Sequence, residues 1–123
     1  MLKLEIIGQV HGGKNHIGIT KTGRRYPASK AFILWAKSAI NQLRVKKWKN
    51  KIKTFKKDMN IVIDYIPGDL RTRDTPAILD AVYHVLEKAK IVENDKQFCN
   101  VIFTKLPLNR RHPKVNIELL ERE

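Results

Sequence analysis

The chain has 123 residues, 42% of them hydrophobic, with 25 Lys and Arg against 12 Asp and Glu for a formal net charge of +13. That length suits one domain and that apolar fraction supports a core, while the lone cysteine, Cys99, excludes an internal disulfide and a cysteine-rich zinc site. No signal-peptide pattern opens the chain and no apolar run approaches the ~18–20 residues of a membrane span, so the sequence is expected to be a reduced, cytoplasmic, strongly basic domain whose partner is a polyanion.

Residues 2–7 alternate apolar and polar and predict a first strand. Residues 8–26 hold five of the six glycines and are basic, which predicts a loop with room for a short hairpin, and Gly12-Gly13 would let the backbone approach a ligand. Residues 29–44 predict a helix with Ser29 as N-cap and one apolar stripe, Phe32, Trp35, Ala36, Ala39, Ile40 and Leu43. Residues 46–57 are mostly lysine, with Trp48, Ile52 and Phe55 interleaved. Their simpler role is to pin this segment to the core; the alternative is base stacking beside phosphates.

Residues 59–66 are β-branched and apolar and predict a strand stopped by Pro67-Gly68. A second helix is expected over 76–89, capped by Asp74 or Thr75, with Pro76 near its start. Its core stripe is Ile78, Ala81, Val82, Val85 and Ala89, widened by Leu79, Tyr83 and Leu86. So broad an arc fits either a dimer mate or a helix held between two layers of its own subunit, with Asp80, His84 and Glu87 opposite. Residues 97–105 and 114–120 predict two last strands around the basic loop Asn109-Arg110-Arg111-His112-Pro113. The order β-α-β-α-β-β describes a single mixed-sheet α/β (α+β) domain over 1–123.

The charge is not spread evenly. Residues 1–58 hold 15 Lys and Arg against Glu5 and Asp58, whereas residues 59–123 hold ten basic and ten acidic residues. Solubility alone does not require such clustering; a phosphate-binding half beside a half that keeps its carboxylates does. Nucleases need that combination, because lysines attract the backbone while carboxylates hold Mg²⁺ against one phosphate. The candidate carboxylates are Asp69, Asp74, Asp80, Glu93 and Asp95.

The stretch from Asp69 to Gln97, DLRTRDTPAILDAVYHVLEKAKIVENDKQ, resembles the RusA family of Holliday junction resolvases. That family has an Arg-rich run into Arg-Asp-x-Asp-Asn, a Lys six residues after the first Asp, and an Asp-Asp-x-Gln turn after the helix. The opening is similar as well: a strand ending at Gly8, a basic loop with Asn15 and Gly23-Arg24-Arg25-Tyr26, and a helix carrying Trp35. Carried over residue by residue, the resemblance implies catalytic, metal-binding roles for Asp74 and Asp95. Arg73 precedes the first of these, and Asn94 stands where the second has an acidic neighbour. The family's second Asp falls on Pro76, its following Asn on Ala77 and its Lys on Asp80. Either Asp80 supplies the missing charge, giving an Asp74, Asp80 and Asp95 cage for Mg²⁺ (with Mn²⁺ as a substitute), or cleavage is lost and the protein only binds branched DNA.

The resemblance further implies a nucleoid-associated homodimer on a four-way junction, serving recombination and repair by paired nicks, with no small-molecule cofactor and no membrane. Arg71 and Arg73 would steady the scissile phosphate. Lys14, Asn15, Arg24, Arg25, Lys46, Lys47, Lys49, Lys51 and Lys53 would grip the DNA arms by shape rather than sequence. The rival expectations are a metal-independent nucleic-acid-binding module, an RNA-binding or ribosome-associated protein, and a nuclease using His11, His16, His84 or His112.

Overall fold

The computed structural model describes residues 1–13, 18–19, 25–26 and 29–122, giving the backbone alone for 18–19 and 25–26. Its elements run β1 (Leu2–Ile7), β2 (Gly18–Ile19), β3 (Arg25–Tyr26), α1 (Lys30–Lys49), β4 (Met59–Ile66), α2 (Thr75–Lys88), a 3₁₀ turn (Asp95–Gln97), β5 (Phe98–Lys105) and β6 (Lys114–Glu121). The short hairpin allowed for in the glycine-rich loop is the antiparallel pair β2 and β3.

The main sheet is mixed, in the order β1-β6-β4-β5. β6 is antiparallel to both neighbours, with Ile117 facing Leu4 on one side and Ile63 on the other. β4 and β5 are parallel, with Ile63 beside Phe103, and α2 provides the crossover between them. The small α+β domain expected from the order of elements is the one observed.

Period-two alternation decides which face is buried. Leu4, Ile6, Ile61, Ile63, Val115, Ile117 and Leu119 turn to one face and join Trp35, Ala39, Leu43, Ile78, Val82 and Val85 of the helices in one core. A fully buried Ile or Leu contributes roughly 1.5–3 kcal/mol. The opposite face carries the ion pairs Lys3–Glu118 (4.0 Å) and Lys114–Glu5 (3.1 Å) across β1 and β6. Exposed pairs of this kind contribute about 0–1 kcal/mol each, so burial rather than ion pairing orients the sheet.

The start of α1 is explicit in the sequence and its end is not. Ser29 Oγ accepts from the Phe32 amide at 3.2 Å, as expected of the N-cap. The helix runs beyond residue 44 to Lys49, because nothing between carries a breaker and Lys46 and Lys47 continue its turns. Gln42, one residue before the end of the apolar stripe, donates to the Ile7 carbonyl and accepts from its amide, which covers part of the outer edge of β1. Among the described residues, no helix is long and apolar enough to cross a membrane.

Two glycines set the joints around the start of α2. A Cβ on Gly12 would stand 2.9 Å from the Ala77 Cβ, so this glycine admits the first turn of α2 rather than an external ligand. A Cβ on Gly68 would stand 2.8 Å from the ring of Pro113, which cannot move aside easily. The Gly68 amide donates to Gln9 Oε1 at 2.6 Å, and Gln9 Nε2 donates to the Tyr65 hydroxyl at 2.7 Å.

Candidate functional site

The chain leaves β4 at its carboxyl end and enters α2 through residues 67–74, the end of a βαβ unit at which α/β proteins place ligands. Arg73 donates to both oxygens of Asp69, at 2.7 and 3.0 Å, and Asp69 Oδ1 also accepts from the Arg71 amide. The Arg73 hydrogen bond, helped by the Arg71 amide, holds the Asp69 carboxyl down at about 2. The Arg73 pKa is raised in turn, first by Asp69 and further by the Tyr65 hydroxyl. His11 beside them is pushed below its ordinary value by burial and then by Arg73 and Arg71, with Asp69 opposing.

This pairing changes the reading of Arg73. Its side chain is only 10% exposed and both arms of its guanidinium face Asp69, so it braces the loop instead of presenting itself to a phosphate. Arg71 is exposed and keeps its side chain for solvent or ligand.

Asp74 occupies the N-cap position of α2 but makes no side-chain cap hydrogen bond. A capping carboxylate takes the amide of the second or third helical residue, and the second is Pro76, which has none. The exposed carboxylate of Asp74 is therefore not consumed by the helix it precedes. Pro76 supplies backbone shape where the resembled motif would supply a second carboxylate.

The far end of α2 holds the other motif. Asn94 caps the 3₁₀ turn by accepting from Lys96, and Gln97 completes a capping box with it. Gln97 is buried and fully used: its Oε1 accepts from the Glu93 and Asn94 amides, while its Nε2 donates to the carbonyls of Phe55 and Lys57. With Asn94 as the cap, the Asp95 side chain is left outward and exposed. Asp80 is also exposed, and it and Asp95 both approach Tyr83, whose hydroxyl is pushed up by burial first and by these two carboxylates next.

The three carboxylates do not form one cluster among the described residues. α2 has 14 residues, about 21 Å at 1.5 Å per residue, with Asp74 before its first residue and Asp95 beyond its last. Two oxygens on one Mg²⁺ lie no more than about 4 Å apart. Among the described residues, no group of three or more His, Cys, Asp or Glu is placed to hold a metal. Asp80 and Asp95 have Tyr83 as their common neighbour, while Asp74 stands at the start of α2, next to the loop that carries Arg71.

The basic surface splits as well. Lys46, Lys49, Lys51 and Lys53 are exposed as expected. Lys47 is half-buried and donates to the Lys90 carbonyl at 2.8 Å and to Thr54 Oγ1 at 2.9 Å, so it ties α1 to the end of α2. Lys14, Asn15 and Arg24 lie outside the described residues, as does His16; of Arg25 only its backbone in β3 is described. Phe55 does pin the lysine-rich segment, packing on the core and bridging to Val92. Trp48 does not: it is 81% exposed.

The histidines are dispersed. His84 packs on the Phe32 ring at 5.4 Å and belongs between the helices, not on an outer face with Asp80. His112 is exposed in the β5–β6 loop. Sequence reasoning missed Lys90, which lines the same cleft as Trp48. The signal was present in the run Lys88-Ala89-Lys90, where a helix ends on lysine without glycine.

No protein-family model matches the chain, and no curated protein matches it.

Proposed function

We propose that the protein binds branched DNA, with a four-way junction as the substrate class, and nicks it with Mg²⁺ in sites shared between two copies. The observation that carries this reading is the placement of Asp74 and Asp95, two carboxylates left unused by their local caps, at opposite ends of α2. A two-fold axis that sets two α2 helices antiparallel would bring Asp74 of one copy beside Asp80 and Asp95 of the partner subunit. Each pair of copies would then hold two such sites, as paired nicking requires. Val101 and Ile102, 40% and 59% exposed on the unpaired edge strand β5, offer apolar surface for the association. Metal held there would polarise the phosphodiester and lower the pKa of the attacking water, while Arg71 and the exposed lysines of residues 46–53 would hold the strands.

One observation favours a second reading, binding without cleavage: Pro76 removes a carboxylate from the resembled motif. A labelled four-way junction incubated with Mg²⁺, beside EDTA and linear-duplex controls, separates the two. The shared-site reading expects metal-dependent paired nicks that disappear in both Asp74→Asn and Asp95→Asn, while junction binding persists. Mixing those two variants then restores one intact site per heterodimer and returns single nicks. Absence of nicks from the unmodified protein at saturating Mg²⁺ and Mn²⁺, with tight junction binding, selects the binding-only reading. Nicking by the protein with no gain on mixing sinks the shared site.

A further inference from the structure

α1 and α2 finish at the same end of the domain, and they finish alike. In α1 the Lys51 amide donates to the Trp48 carbonyl and the Ile52 amide to the Lys47 carbonyl. In α2 the Lys90 amide donates to the Glu87 carbonyl and the Ile91 amide to the Leu86 carbonyl. These are paired Schellman endings, in which the residue after the cap turns left-handed and is usually glycine. Here both are lysines, Lys51 at φ 50° and Lys90 at φ 61°.

The negative ends of the two helices are already answered from within. At the end of α2, Arg44 donates to the Lys88 carbonyl at 3.4 Å and Lys47 to the Lys90 carbonyl at 2.8 Å; at the end of α1, Asn50 Nδ2 donates to the Lys46 carbonyl at 3.0 Å. That leaves Lys49, Lys51 and Lys90 with no side-chain hydrogen bond or ion pair among the described residues, so terminus compensation does not account for them. They line a cleft of about 800 Å³ together with Arg44, Trp48 and Ile52, and no carboxylate lines it. Trp48 presents an 81% exposed indole there.

A flat apolar ring among unopposed cations is complementary to a ligand that is both planar and anionic. We infer that this cleft binds an unpaired nucleotide of a DNA strand, its base stacked on Trp48 and its flanking phosphates on Lys49, Lys51 and Lys90. Duplex DNA satisfies only half of this complementarity, because its base faces are occupied by their neighbours. An acidic peptide also satisfies only half, since it brings charge without a ring face. The inference rests on the nucleic-acid-binding reading above but not on cleavage, and it adds a site for single-stranded character such as the open centre of a junction.

The emission of Trp48 provides the test, with the buried Trp35 as a constant background in the full chain. The probes are a dT strand, an abasic strand of equal length and charge, an rU strand, a blunt duplex and poly-glutamate. The dT strand is expected to quench the emission and to bind about tenfold more tightly than the abasic strand, the scale of one base–aromatic stack. Trp48→Ala is expected to lose that tenfold advantage while keeping its duplex affinity, and Trp48→Phe to keep most of it. Equal affinity for dT and abasic strands, or unchanged dT binding by Trp48→Ala, overturns the stacking site. Tighter binding of rU than of dT overturns its assignment to DNA, and quenching by poly-glutamate as strong as that by dT overturns its assignment to nucleic acid. A junction measured alongside keeps the two readings apart: no junction preference with intact dT quenching sinks the resolvase and leaves this site standing.

Discussion

Single side chains divide here into those that face inward and those that remain outward, and charge type does not tell them apart. Arg73 and Arg71 are two residues apart, yet one is locked on Asp69 and the other is exposed. Lys47 and Trp48 show the same division more sharply. The inward positions of α1 run Phe32, Trp35, Ala36, Ala39 and Leu43, and the next, four residues on, falls on Lys47. Trp48 lies a further 100° round the helix and so faces water, which periodicity would have revealed had the helix been continued to Lys49. The Asp69–Arg73 pair carries a pH signature. Its carboxyl sits at about 2 when folded, below the ordinary 3.8, so its stabilising contribution is complete above the ordinary value and is lost as pH falls through about 2. Asp69→Asn is therefore expected to lower Tm at pH 6 and to converge with the parent protein as the pH falls from about 4 to about 2. A Tm gap that persists undiminished at the acid end would assign the effect to the lost loop hydrogen bonds instead.

At the scale of elements, the strands and the second helix were readable because β-branched alternation, Pro67-Gly68 and Pro76 are local signals. Where α1 stops was not, because Lys51 does the work that glycine usually does, and a lysine in a lysine run gives no punctuation. The candidate site was legible in its parts and not in its assembly. Sequence spacing identified Asp74 and Asp95, but the distance between them depends on α2 being a straight 14-residue rod that joins them end to end. The left-handed lysines lead to a stability prediction. A non-glycine residue there costs about 1–2 kcal/mol, and glycine returns part of that as extra unfolded-state entropy. Lys90→Gly is thus expected to gain about 0.5–1 kcal/mol, a Tm rise of about 2–4 °C by calorimetry, while weakening dT-strand binding. A stabilised variant with unchanged affinity would mean that Lys90 has no part in the cleft.

For the whole molecule, the charge asymmetry becomes a spatial one. The lysine-rich end of α1 and Lys90 share the end of the domain that also carries Asp95, while Arg71 and Asp74 share the other. Binding through the first end should depend steeply on salt, because each neutralised phosphate releases counterions. Replacing Lys49, Lys51 and Lys90 by Gln is expected to lower the slope of log K against log salt for the dT strand by about 0.7 for each contact removed. Arg122→Gln, in the charge-balanced half, is expected to leave that slope unchanged; equal effects from both would point to a diffuse field with no localised surface.

The position of β6 has a consequence for how the chain is made. It is the last strand in sequence and yet stands inside the sheet, between β1 and β4. Among the described residues β1 has no other strand beside it, and its Ile7 pairs with Lys114. Synthesis from the amino end delivers β1 before β6, so Leu4 and Ile6 wait for the strand on which they pair. The β4-α2-β5 unit can assemble while synthesis continues, but the sheet closes only after translation has passed residue 121. Until then the basic amino-terminal half stands beside a sheet that is still open.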